Sequence, residues 1–398
     1  MGDRVAVFVV FGLNGAVYGT WAPRVPALSE QLRAGPAQLG LTLFAMTAGM
    51  LTAAAFAGRL AERFGARAMI VGSVALGCLI LPVLGGLTSV IWFGVAVIGL
   101  GAANGALDVS MNIAGVGVER RIDRPIMPVF HAGFSFGGLA GSAAAGLAAA
   151  RHIPLEWHFG VAAVVIAVAL LVVLPGLPRA VPRAERAAVT ARVAPARRPV
   201  LWLLAMVALL SAVAEGASSD WSALLMVSEH GIGQGAAALA FAGFSLAMAI
   251  TRLGGAWAQA RFGATPTLAV GALLAGAGLV LAATAPVAGL AFGGFVLAGV
   301  GLAACFPIAL GLAGAAGKRD DDTGGEREIA FVTAIAYGGF VGGPPMIGGI
   351  AQVTSLSVSF IVVGLLAASI ALAAAGAGRA RHRELTAPEP VGKRGLLS

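Results

Sequence analysis

Twelve stretches of the chain are almost continuously apolar, separated by short polar or glycine-containing breaks. A helix crossing about 30 Å of hydrocarbon needs roughly 20 mostly apolar residues. Residues 5–26, 37–58, 68–88, 91–117, 128–150, 158–176, 201–222, 236–258, 266–284, 288–316, 329–352 and 357–377 meet that requirement and are called spans one to twelve. Because backbone polar groups cannot face lipid unpaired, the pattern predicts an all-α membrane protein. Span one is too long for a cleavable signal peptide, and no small-residue cleavage site followed by a soluble domain comes after it.

One long polar interruption, rich in Arg, Pro and Ala, occupies residues 177–199. It divides the chain into an N-terminal six-helix bundle (1–176), a basic cytoplasmic linker (177–199), a C-terminal six-helix bundle (200–378) and a cytoplasmic tail (379–398). The halves echo each other about 200 residues apart. Gly58-Arg59-Leu60-Ala61-Glu62-Arg63-Phe64-Gly65-Ala66-Arg67 follows span two, and Ala260-Arg261-Phe262-Gly263-Ala264 follows span eight. Gly99-Leu100-Gly101 matches Gly299-Val300-Gly301, and Phe136-Gly137-Gly138 matches Tyr337-Gly338-Gly339. Two pseudo-symmetric six-helix bundles about a central site form a transporter architecture that works by rocking one half on the other.

Composition narrows the class. Apolar residues make up 59% of the chain and charged ones 11%, with mean hydropathy +0.91. Soluble domains carry about 25% charged residues, so a soluble enzyme, a disordered chain and a nucleic-acid-binding protein are excluded. The 58 glycines let helix backbones approach where lipid offers no hydrophobic drive for association. With the N-terminus inside, twenty-two of the 26 Lys and Arg residues fall on the cytoplasmic side. Arg24, Arg33 and Arg151 fall outside, and Arg252 lies within span eight. The positive-inside rule therefore predicts a multi-pass protein of the plasma (inner) membrane with both termini cytoplasmic. Trp21, Trp92, Trp157, Trp202, Trp221 and Trp257 sit near span ends, as expected of an aromatic belt. Cys78 and Cys305 lie inside apolar runs, which gives neither a disulfide framework nor a metal cluster, and no cofactor is expected.

The chemistry-bearing residues are few and unevenly placed. Ionisable residues at bilayer depth are costly, so each needs a partner, a cavity or a function. At about 100° per residue they form stripes. Asn14, Tyr18 and Trp21 share a side of span one; Asn104, Asp108 and Asn112 share one of span four; His131, Ser135, Gly138 and Ser142 share one of span five. In span seven Ser211, Glu215, Ser218 and Ser222 align while Asp220 points elsewhere, and in span eight Ser245, Arg252 and Gln259 are spaced by seven. Each stripe can face a cavity between the halves.

Asp108 reads as a proton- or substrate-binding carboxylate, against a structural hydrogen bond to Asn112. Glu215 reads either as a second coupling group or as locally satisfied by Ser218 and Ser219. Arg252 either pairs with a buried carboxylate or snorkels to the headgroups. His131 is a proton relay or an interfacial histidine. Tyr18, Trp21 and Tyr337 are ligand contacts or packing residues, and Asp320-Asp321-Asp322 reads as a solvated inner loop. Gly99-x-Gly101-x-x-x-Gly105 lies inside a span without βαβ context, so it signals close helix packing and not dinucleotide binding. Gly317-Lys318 lacks the flanking residues of a phosphate loop, with Leu312 and Arg319 where Gly and Ser or Thr are needed. Any driving energy must then come from a gradient.

The segment Gly58–Arg67 resembles the loop signature G-x-L-a-D-R-x-G-R-R of the major facilitator superfamily, with Glu62 in place of Asp and Ala66 in place of Arg. The second copy, with Ala260 where the acid would be, fits the same resemblance, which covers essentially the whole chain. Leu107-Asp108-Val109-Ser110-Met111-Asn112, Val118-Glu119-Arg120, Arg124-Pro125-Ile126-Met127-Pro128 and His131-Ala132-Gly133-Phe134-Ser135 resemble the MosC-like branch of bacterial membrane proteins. Gly343-Pro344-Pro345-Met346-Ile347-Gly348 agrees with it. The resemblance implies a transporter of unspecified substrate. It also implies a gating role for Gly58, Glu62, Arg63, Gly65 and Arg67 through charge contacts between helices. The Gly-Pro-Pro element is similar to the glycine-proline motif of drug antiporters, but it sits in span eleven and not in span five.

The sequence thus predicts a monomeric secondary transporter, not an enzyme, that exports a neutral or amphiphilic small molecule with coupling to protons. Asp108, Glu215, Arg252 and His131 are the expected coupling residues, and Asn14, Tyr18, Asn104, Asn112 and Tyr337 the expected cavity lining. The alternatives are uptake of a polar, sugar-like solute, or an uncoupled facilitator or sensor.

Overall fold

The structure is a computed structural model that describes residues 2–122, 126–178, 195–317 and 325–386. All regular structure among them is helical, in twelve spans: Asp3–Leu32, Pro36–Phe64, Ala66–Gly86, Val90–Ile122, Val129–Ala150, Leu155–Gly176, Pro199–Ser228, Gln234–Gly255, Ala264–Thr284, Ala288–Gly317, Arg327–Val353 and Leu356–Arg381. Most of the expected linker (179–194), Arg124 and Pro125, the Asp320-Asp321-Asp322 run with Lys318 and Arg319, and residues 387–398 lie outside the described residues. The helix of span twelve continues to Thr386, so the segment expected as a tail begins helical.

Glycine and proline set the shape of the spans. Gly65 joins spans two and three at φ 85°, ψ 146°, and Gly263 joins spans eight and nine at φ 87°, ψ 161°. A side chain is strained at such φ, which is why glycine makes both corners. At the first corner the glycine N–H donates to Ala61 O at 2.8 Å, and at the second to Gln259 O at 2.9 Å. Arg63 lies over the Phe64 ring at 5.3 Å, and Arg261 over the Phe262 ring at 5.8 Å. The repeat read in the sequence is thus a repeated three-dimensional corner.

Two spans are bent where proline removes a backbone donor. In span one a 3₁₀ turn, Ala22–Arg24, separates Asp3–Trp21 from Val25–Leu32, with Pro23 and Pro26 at the break. Span ten, expected as one continuous run, divides into Ala288–Leu302 and Cys305–Gly317. Pro307 is the residue whose N–H would have bonded the Ala303 carbonyl, so that carbonyl is left free.

Within the N-terminal half span one packs on span five, span two on span four, and span three on spans four and six. In the C-terminal half span seven packs on eleven and twelve, span nine on ten and twelve, and span eight on ten. Gly137 lies so close to the Gly12 carbonyl that a Cβ would collide with it, and a Cβ on Gly339 would collide with the Leu209 carbonyl. Each Gly-Gly step thus serves a close helix contact, five on one and eleven on seven, through its first glycine in span five and its second in span eleven. Glu119, from the end of span four, accepts the Ile126 and Met127 N–H groups at 2.7 and 2.9 Å. It caps the start of the next helix, where unpaired donors and the helix dipole favour a carboxylate.

Leu253, Ile91 and Leu372 are 86%, 77% and 77% exposed, a surface that only hydrocarbon suits. The tryptophans divide in a way the sequence does not show. Trp92, Trp157, Trp202 and Trp257 lie on the exterior, as a belt requires, but Trp21 and Trp221 are buried between helices. Their spans carry the inter-half surface, so nearness to a span end does not place them against headgroups.

Candidate functional site

The halves meet through span two against eleven and span five against eight. The contacts that join them gather at the end of the bundle remote from the Gly65 corner. There the Gly40 backbone lies against Pro344 and Pro345, and that of Gly348 against Pro36. Gly146 meets Gly235, the Ala37 N–H donates to Gln352 Oε1 at 3.4 Å, and Gln234 Nε2 donates to Glu30 Oε2 at 3.0 Å. The Gly-Pro-Pro element of span eleven is therefore part of this seal.

Below the seal lies a chamber of about 270 Å³ between the halves. Span one contributes Tyr18 and Trp21, span two Met46 and Met50, and span five Phe134 and Ser135. From the other half come Glu215, Ser219 and Asp220 of span seven, Phe241, Ser245 and Arg252 of span eight, and Tyr337 and Phe340 of span eleven. Most of the wall is apolar or aromatic, with a few convergent polar groups, as ligand sites generally are.

Two polar contacts organise the chamber. The Tyr18 hydroxyl donates to Asp220 Oδ1 at 2.5 Å and so ties the halves together across it. Arg252 Nη2 stands 3.7 Å from Glu215 Oε1, with the two side chains 44% and 28% exposed. Arg252 Nε also donates to the Ala303 carbonyl at 3.3 Å. That acceptor is available because Pro307 breaks span ten, so a proline two spans along the chain fixes a guanidinium in the chamber wall. Arg252 pairs with a carboxylate and does not reach for headgroups, and Glu215 has this partner in place of neighbouring serines.

Asp220 corrects the reading of span seven. Helical angle alone points it away from the Ser211, Glu215, Ser218 and Ser222 stripe and from the cavity; it does leave the stripe, but it faces the chamber. The serines are the buried side: Ser211 and Ser218 donate to the Val207 and Ala214 carbonyls of their own helix, each at 2.8 Å. A hydroxyl satisfied by the preceding turn needs no water, so the wet face runs through Glu215, Ser219 and Asp220 instead.

The remaining expected residues are spread around the chamber. Asn14 is buried and donates to Met111 Sδ at 3.6 Å, joining spans one and four. Asn104 is buried in span four. Asn112 donates to the Asp108 carbonyl at 2.8 Å and, at 3.5 Å, to its Oδ1. None of these three lines the chamber. Asp108 is exposed, within electrostatic reach of Tyr337 in the opposite half. His131 is exposed beside the Phe11 ring, with centroids 5.1 Å apart, and within electrostatic reach of Arg252. Asp108 and His131, each near a residue that lines the chamber, thus border the cleft between the halves outside that lining. Glu62 and Arg63 are exposed at the end of span two; Gly58, Gly65 and Arg67 are half-buried about the corner. Neither Glu62 nor Arg63 forms an ion pair among the described residues.

Two six-helix bundles with a chamber between them, joined at one end, have the architecture of a membrane carrier. The sequence profile of the Major Facilitator Superfamily matches residues 7–228 and 217–397, and the chain belongs to that family. It is 32% identical over 365 residues to an uncharacterized transporter of Sinorhizobium fredii, covering 92% of this chain and 95% of that one. Against an uncharacterized transporter of the same superfamily type from Yersinia pestis it is 31% identical, over 94% of this chain and 95% of the other. Against the membrane protein MosC of Rhizobium meliloti the identity is 28%, over 97% and 92%. Among solved structures, a mutant of the nucleoside transporter NupG superposes with TM-score 0.79 at 12% identity, over 94% of this chain and 100% of that one. A bacterial homologue of the human lysosomal transporter Spinster, inward-facing and occupied, superposes with TM-score 0.76 at 16% identity, over 97% and 98%. The chain is accordingly a multi-pass secondary transporter of small molecules, MosC-like, and not an enzyme.

Proposed function

We propose that the protein is a proton-coupled exporter that works by alternating access, as a monomer in the plasma (inner) membrane with both termini cytoplasmic. The chamber between the halves, with the contacts that join them gathered at the end remote from the Gly65 corner, is the observation that carries this reading. The positive-inside distribution supports a cytoplasmic position for the Gly65 corner, so that the seal lies on the far side, as an exporter waiting for cargo requires. Asp108 is the coupling carboxylate, standing in the cleft without a cation among the described residues. Glu215 and Arg252 form a breakable pair that exchanges partners when Asp108 gains or loses a proton, and His131 passes protons along the cleft. Asn14, Asn104 and Asn112 position the helices that hold these groups, while Tyr18 and Tyr337 touch the cargo. The corner residues Gly58, Glu62, Arg63, Gly65 and Arg67 gate the cytoplasmic opening.

Flux of amphiphilic solutes through reconstituted proteoliposomes, with and without a pH gradient, tests the coupling. The gradient is expected to drive accumulation, and Asp108→Asn to abolish it while leaving cargo exchange. Identical rates with and without the gradient overturn the proton-coupled reading.

A further inference from the structure

The charges facing the chamber do not balance. Glu215 is matched by Arg252, whose guanidinium also holds the Ala303 carbonyl. Asp220, only 9% exposed, meets the Tyr18 hydroxyl and no cation among the described residues. Among the described residues, Arg252 is the one basic side chain in the lining. Asp108, outside the lining, has Asn112 for company. Among the described residues that line the chamber, Glu215 and Asp220 therefore stand against the single arginine.

Aromatic side chains share the lining with Asp220. The Tyr18 and Phe241 rings lie 6.1 Å apart, and Tyr18 and Trp21 meet edge-on at 6.4 Å. Phe134 and Phe340 extend the wall. An aromatic face attracts a cation through its quadrupole, the more strongly where water is excluded. A carboxylate held at this depth without a counter-charge also gains most from a ligand that supplies one. An anionic cargo meets Asp220 with repulsion, and a neutral one leaves it uncompensated.

We propose that the chamber takes a compact organic monocation, a protonated or quaternary amine with an apolar body. The nitrogen sits on Asp220 within the Tyr18, Trp21 and Phe241 rings, and the apolar part lies against Phe134, Phe340 and the methionines of span two. This deepens the transport reading and rests on it for the direction of movement, but binding is testable alone.

The test is thermal unfolding of the purified full-length protein with benzyltrimethylammonium and with its uncharged isostere neopentylbenzene, at matched free concentrations. The cation is expected to raise the unfolding midpoint saturably, and the isostere to need at least a tenfold higher concentration for the same shift. Asp220→Asn should weaken the cation's effect tenfold or more while leaving that of the isostere unchanged. Should Asp220→Asn fail to fold, Phe241→Leu takes its place and should weaken the cation more than the isostere. Equal stabilisation by the two compounds, stabilisation by neither, or a cation response untouched by these substitutions overturns the proposal. Cation binding without flux removes the transport reading and keeps this one; gradient-driven flux of another solute without cation binding does the reverse.

Discussion

The Tyr18 hydroxyl donates to Asp220, and a hydrogen bond to a carboxylate belongs to the stronger, charge-assisted class. Such bonds contribute about 1.5–3 kcal/mol, and this one spans the halves. Tyr18→Phe is therefore expected to shift the balance between sealed and open forms of the end remote from the Gly65 corner by roughly 10- to 100-fold, read as a longer distance between spin labels at that end of spans one and seven. The Glu215–Arg252 pair is a different case. It is longer and partly hydrated, and pairs of that kind are worth about 1 kcal/mol or less. Glu215→Gln should leave the unfolding midpoint within a few degrees of wild type and yet reduce gradient-driven flux strongly; a large loss of stability would show the pair to be structural. At this scale the sequence is only partly legible. It identifies the polar residues of spans one, four, five, seven and eight, because charge at bilayer depth is rare. It does not tell which face of span seven is wet, since a serine that bonds back to its own helix looks from sequence like one that faces water. Asp220 is misplaced by the helical-angle reading for that reason, and Asn14 and Asn104, polar but buried, read from sequence as lining.

The elements themselves are legible almost throughout. Runs of apolar residues and glycine corners leave few alternatives, and the twelve spans fall within a few residues of where hydropathy puts them. What hydropathy misses is internal breakage, because Phe306-Pro307-Ile308 is as apolar as its surroundings. A proline inside a helix costs about 3 kcal/mol or more, and here it frees the carbonyl that holds Arg252. Pro307→Ala is expected to raise thermal stability by closing the Ala303 bond, and to slow flux by releasing Arg252 from its position. A variant that is both more stable and fully active would separate the break from the site. Glu119→Ala should cost about 1–2 kcal/mol by uncapping span five, visible as faster amide exchange at Ile126 and Met127. The capping also accounts for Val118-Glu119-Arg120 and Ile126-Met127 appearing together in the sequence, as one cap built from two segments.

For the whole molecule, the inter-half contacts gather at one end, so this conformation is sealed on that side of the chamber. In a background without Cys78 and Cys305, cysteines at Ala37 and Gln352 are expected to crosslink readily in the absence of cargo, block flux, and release it on reduction. Failure to crosslink would mean that the sealed state is scarcely populated. The architecture is legible because duplication leaves repeated signals, whereas the chamber is not, since no single-chain pattern reports which stripes converge. Their meeting depends on crossing angles set by backbone contacts such as Gly137 on Gly12 and Gly339 on Leu209.

The two corners at Gly65 and Gly263 keep the same turn, the same N–H bond and the same arginine over phenylalanine, yet only the first retains an acid, Glu62 against Ala260. The molecule thus contains its own control experiment. What both copies preserve is what any such bend demands to be built, and what a single copy preserves has been released from building and is free to answer to the working cycle.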